Sequence, residues 1–172
     1  PRIMSLEAVE SAWTVKSLLN GIADANPPYH ALIDTGALVT GMTNLEVARY
    51  LLNRGLNGID GVVFLDDEDK KMILVRDGMK VLPLHQSAVP KPRRFAFYDQ
   101  VHTTGMDIQH TLNAVAVLTL GKDMTFRDFA QGAFRMRGIG KGQEIRLIII
   151  PEVMRLIRTH MALASGGKAT VD

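Results

Sequence analysis

The sequence predicts an α/β domain, with a mostly parallel sheet, helices on both faces and one local β-hairpin. Three observations lead there. Short β-rich runs such as Ala31-Leu32-Ile33, Gly61–Leu65 and Ala114–Leu120 alternate with stretches whose apolar residues recur at helical spacing, the pattern of crossover units. Those runs are almost wholly apolar, as strands buried on both faces are. Only a short acidic stretch, Asp66-Asp67-Glu68-Asp69, separates Gly61–Leu65 from the next run, Lys71–Arg76, and so short a link makes a hairpin turn.

Taken in order, Ser5 to Asn20 carries Leu6, Val9, Trp13, Leu18 and Leu19 near helical spacing, with Ser5 as its N-cap. Asn26-Pro27-Pro28 ends that element and starts an extended one, because residues before proline avoid the α region. The strand Ala31–Ile33 runs into Asp34-Thr35-Gly36. Thr43 stands three residues before Glu46, a capping box, and opens a helix through Leu52 that Arg54-Gly55 stops. After the hairpin, Asp77-Gly78 turns the chain into Lys80–Leu84, an edge strand because Pro83 cannot donate to a ladder. Ser87–Pro92 is a loop and Phe95–Tyr98 a strand ending at Asp99. Beyond Ala114–Leu120, Thr125 caps a helix through about Phe134, Glu144–Ile150 is the last strand, and Pro151 begins a final helix through about His160. The tail Ser165–Lys168 reads as frayed.

A chain of 172 residues is the usual size of one domain, and no repeat, low-complexity tract or linker divides it. Its apolar runs are too short to cross a bilayer, so no membrane partner is expected. With no cysteine, disulfides, thiolate metal sites and cysteine nucleophiles are excluded, which fits an intracellular protein, cytoplasmic or nuclear. The chain begins at Pro1, as a processed chain or a piece of a longer protein would. A net charge of +2 argues for no polyanion by itself, but its distribution is uneven. Asp60 and Asp66–Asp69 make the first half acidic; Lys91, Arg93, Arg94, Arg127, Arg135, Arg137, Lys141 and Arg146 make the second half basic. An anionic ligand on the C-terminal side or a solvated surface both account for that.

Parallel α/β sheets bind ligands at the carboxyl ends of their strands, and three segments fall there. Asp34-Thr35-Gly36 has the triplet of an aspartic protease, but it occurs once and in an α/β setting, so a turn with a strand-end aspartate is the better reading. The stretch from Tyr98 to Ile108 holds Thr103, Thr104, Gly105 and Asp107 after a strand. It could place backbone N–H groups and one carboxylate near a ribose or phosphate, or form a strand-to-helix turn capped by Thr104 or Asp107. The stretch from Gln131 to Gly142 sets Arg135, Arg137 and Lys141 among glycines. Guanidinium forks suit phosphate, and a basic helix C-terminus explains the same residues. The histidines lack metal-ligand spacing, no metal site is expected, and no phosphate loop occurs, since Ala162 and Ala169 break the only approach to one at Gly167-Lys168.

In this order the segments resemble the second, C-terminal RecA-like domain of superfamily 2 helicases and related ATPases. The likeness covers about residues 30–150 of a single domain spanning 1–172. Thr103-Thr104-Gly105-Met106-Asp107-Ile108 resembles motif V, and Gln131-x-x-x-Arg135-x-Arg137-Gly138 resembles the Gln-x-x-Gly-Arg-x-x-Arg of motif VI. Phe134 departs from the motif's glycine, and Arg137 comes one residue early. The stretches YDQVHTTGMDI and TLGKDMTFRDFAQGAFRMRGIGKGQ also resemble very large proteins of fungi, plants and protists that often carry the name ubiquitinyl hydrolase.

The resemblance implies a RecA-like three-layer fold and half of an ATP-hydrolysing, helicase-type site. Thr104, Gly105 and Asp107 would face the nucleotide, Arg135 and Arg137 would reach its γ-phosphate, and Gln131 would orient water or an arginine. Arginine fingers of this kind contribute about 10³–10⁵ in rate. ATP and Mg²⁺ would be held by a partner, the N-terminal RecA-like domain of the same longer chain, with nucleic acid as a further partner. Two other readings stand beside it: a catalytically inactive RecA-like interaction module, and part of a ubiquitin-handling hydrolase whose catalytic residues lie outside this chain.

Overall fold

A computed structural model of the protein describes residues 3–8, 14–34, 36–99, 114–120 and 144–149. They form β1 (Ile3–Ala8), α1 (Val15–Ala23), β2 (Ala31–Ile33), α2 (Asn44–Arg54), β3 (Gly61–Leu65), β4 (Lys71–Val75), β5 (Lys80–Pro83), β6 (Arg94–Tyr98), β7 (Val115–Leu120) and β8 (Glu144–Ile149), with short 3-10 turns between β4 and β6. The strands make one eight-stranded sheet in the order β1-β8-β7-β2-β6-β3-β4-β5. From β1 to β3 every neighbouring pair is parallel; β3/β4 and β4/β5 are antiparallel. The expected hairpin is therefore the start of a three-stranded meander that finishes on β5 at the sheet's edge.

All three residues of β2 are buried, as are Phe95–Tyr98 of β6 and Ala116–Thr119 of β7. Successive strand residues point to opposite faces, so unbroken burial means that both faces are covered. The fold is a three-layer α/β arrangement. On one face, α1 buries Leu18, Leu19, Ile22 and Ala23, and α2 buries Val47, Ala48, Leu51 and Leu52, one apolar stripe each. Burying each such leucine or isoleucine contributes about 1.5–3 kcal/mol. The two helices also meet polar to polar: Tyr50 Oη donates to Asn20 Oδ1 at 2.6 Å, and Arg54 grips Asp24 through Nε and Nη2 at 3.0 and 2.8 Å.

The expected helix from Ser5 to Asn20 is corrected. Ile3–Ala8 is a strand paired in parallel with β8, and the helix starts only at Val15. Pairing with a distant strand outweighs the local helical spacing of Leu6 and Val9. The real cap is Thr14, not Ser5. Ser17 N–H donates to Thr14 Oγ1 at 3.0 Å while Thr14 N–H donates to Ser17 Oγ at 2.7 Å. Serine here takes the part that glutamate or glutamine usually plays three residues after the cap, which hid the signal. At α2 the threonine half of the expected box is present: Glu46 N–H donates to Thr43 Oγ1 at 3.1 Å.

The end of α2 lies against the end of α1, where Leu56 N–H donates to the Ala23 carbonyl at 2.8 Å. A Cβ on Gly55 would sit 2.5 Å from that same carbonyl oxygen. Neither partner is the free end of a side chain, so both helix ends would have to shift. Gly55→Ala should lower the unfolding free energy by about 2 kcal/mol, within the range for overpacking; a urea midpoint matching wild type would contradict this.

Candidate functional site

In the strand order β3, which follows β2 in the chain by way of α2, lies to one side of β2, and β8, the strand after β7, lies to the other side of β7. The strands that follow β2 and β7 thus lie in opposite directions across the sheet. In open parallel sheets that arrangement marks the ligand crevice. Register puts the ends of β2, β6 and β7 level there, Ile33 opposite both Tyr98 and Leu118, so Asp34 lies between Asp99 and Thr119.

Asp34 is 1% exposed and Thr119 fully buried. Asp34 Oδ1 accepts from Leu38 N–H at 3.0 Å and from the Thr119 hydroxyl at 2.8 Å; Oδ2 accepts from Val39 N–H at 3.0 Å. Thr119 Oγ1 in turn accepts from Gly36 N–H at 3.1 Å, which directs its one proton to the carboxylate. Burial pushes the Asp34 carboxyl above its ordinary value against the pull of these three donors, and the nearby negative charge of Asp99 adds to the rise. The loop after β2 therefore wraps its amides around its own aspartate. Asp34 and Gly36 thus belong to a loop organised by a strand-end carboxylate, and those amides are not open to an outside anion.

The start of α2 belongs to the same edge, because Asn44 Nδ2 donates to the Leu65 carbonyl at the end of β3 at 2.9 Å. At the opposite, amino edge His30 accepts a hydrogen bond from Val115 N–H on Nδ1 at 3.2 Å, and burial lowers its pKa. It is a neutral, structural imidazole that joins β2 to β7. Beside it a cleft of about 330 Å³ is lined by Asp24, Asn26, Pro27, Pro28 and Tyr29. Its one carboxylate is already held by Arg54.

Thr104, Gly105, Asp107, Gln131, Arg135 and Arg137, the residues singled out in the sequence, all lie outside the described residues. What the structure fixes is their frame. The stretch holding the first three follows Asp99 at the carboxyl end of β6, and the stretch holding the other three joins the carboxyl end of β7 to the amino end of β8. Among the described residues no group of three or more His, Asp or Glu side chains could hold a metal ion. Thr119 escaped the sequence reading, although a lone hydroxyl near the end of the apolar run Ala114–Leu120 was a usable signal. Comparison with family models, with curated proteins and with solved structures finds no match.

Proposed function

We propose that this domain is the second RecA-like half of a helicase-type ATPase, supplying Arg135 and Arg137 to a nucleotide whose phosphates and Mg²⁺ are held by a partner domain of a longer chain. The observation that supports it most is the strand order, in which the strands after β2 and β7 lie in opposite directions, the arrangement at which open parallel sheets bind ligands, and the Thr104-Gly105-x-Asp107 stretch follows β6 at that same edge. The sequence has no phosphate loop of its own, so the nucleotide must be shared. Asp34, the one buried carboxylate at that edge among the described residues, is engaged by its own loop and offers neither a base nor a nucleophile. Gln131 then orients water or an arginine, Thr104 lies with the nucleotide-binding residues, and Gly105 and Asp107 face the ribose or couple it to the strand-binding surface.

A second reading has one observation in its favour. Phe134 replaces the motif's glycine and Gly138 stands where its second arginine belongs, as a RecA-like interaction module released from catalysis would allow. One pair of measurements separates the two. On the motor reading the 172-residue chain alone hydrolyses no ATP above background, and a longer chain carrying this domain hydrolyses ATP and loses that turnover in Arg135→Ala and Arg137→Ala. Turnover by the longer chain that ignores both substitutions would leave the interaction module.

A further inference from the structure

We infer that Asp34 and Thr119 form a positioning pair that sets the rim of the crevice between β2 and β7; its consequence for catalysis rests on the ATPase reading above. The Thr119 hydroxyl joins the carboxyl ends of β2 and β7, donating to Asp34 at 2.8 Å and accepting from Gly36 N–H at 3.1 Å. Among the described residues its side chain ties the loop after β2 to the end of β7. The same hydroxyl is linked to three amides of that loop, to Gly36 directly and to Leu38 and Val39 through the Asp34 carboxylate that it helps to hold.

Placement argues for more than packing. Keeping a carboxylate 1% exposed is costly, and a surface aspartate, asparagine or serine would hold an ordinary turn without that cost. Here the cost falls at the opening of the crevice, where charge-assisted bonds fix one loop geometry. The left-handed backbone at Ala37, with φ of 54°, lies inside the segment that these bonds hold. Neither residue is a catalytic residue, since both are sealed beneath the rim. They act through the loop above them.

The test compares Thr119→Val, which keeps the shape and removes the hydroxyl, with Thr119→Ser, which keeps the hydroxyl. In the 172-residue chain, amide hydrogen exchange at Gly36, Leu38 and Val39 should quicken roughly tenfold in Thr119→Val and stay at wild-type rates in Thr119→Ser, the size expected for one hydrogen bond. Unchanged exchange at those amides would overturn the pair. In the longer chain, kcat for ATP should fall roughly tenfold in Thr119→Val with little change in KM, because the phosphates are held by the partner domain, and Thr119→Ser should restore it. Faster exchange with a wild-type kcat would reduce the pair to a structural tie. No turnover in the unmodified longer chain would defeat the ATPase reading, and the exchange result would still decide whether the pair sets the rim.

Discussion

Asp34→Ala is expected to lower the unfolding free energy by about 3–4 kcal/mol, among the largest effects of any single substitution in the described residues. The change removes the acceptor for Leu38 N–H, Val39 N–H and the Thr119 hydroxyl at once, in surroundings where the aspartate is 1% exposed. Three donors then face a space with no acceptor. Relief from burying a carboxylate offsets part of the loss, which keeps the figure below the sum of three unmade bonds. Asp34→Asn should recover roughly half, since its amide keeps one acceptor oxygen and turns two donors toward groups that also donate. Urea unfolding of the three proteins measures this directly, and an Ala variant as stable as wild type would mean that Asp34 does not organise the loop.

The same residue carries a pH dependence whose sign follows from its raised folded pKa. The unfolded carboxyl titrates near 3.8, whereas the folded one holds its proton to higher pH. The folded state therefore binds the proton more tightly. Asp34's contribution is complete below the unfolded value and diminishes as pH rises through the folded value. The stability gap between wild type and Asp34→Ala should thus be wider in mild acid than at neutral pH. A gap that widens toward neutral pH would show that the three donors outweigh burial.

Runs with one chemical character were legible in the sequence, and contacts between distant elements were not. Gly61–Leu65 and Ala31–Ile33 are strands with the expected bounds because their apolar composition suits no other half of the fold. The stop at Gly55 was equally readable, although what demands glycine there is the Ala23 carbonyl and not a left-handed turn. β1 was misread because its strand identity comes from β8, almost the whole chain away, while its own residues also fit a helix. At the crevice, the role of Asp34 as a turn former was foreseen, but its partner stands 85 positions on, and no local pattern joins them. Arg76 was lost in the same way, as one more cation at the end of a strand.

Removing that arginine should cost nearly as much as removing Asp34. Arg76 follows β4, and its guanidinium donates to four backbone carbonyls: Ile59 through Nε at 2.9 Å, Leu52 through Nη1 at 3.0 Å, and Gly55 and Leu56 through Nη2 at 2.8 and 3.0 Å. Leu52 and Gly55 belong to the end of α2, where carbonyls lack helical partners and the helix dipole is negative. One side chain from the meander thus caps the helix and secures the loop that leads into β3. Its own backbone N–H adds a bond to the Asp60 carbonyl at 2.8 Å, which survives substitution. Arg76→Met retains the apolar stem and removes every side-chain donor, so we expect a loss of about 3 kcal/mol, less than the sum of the bonds because water can reach some of these half-buried carbonyls. Arg76→Lys should recover only about 1 kcal/mol, because a compact ammonium cannot span acceptors arranged for a planar fork. Equal stability for the Lys and Arg proteins in urea would show that charge at the helix end matters and the fork geometry does not.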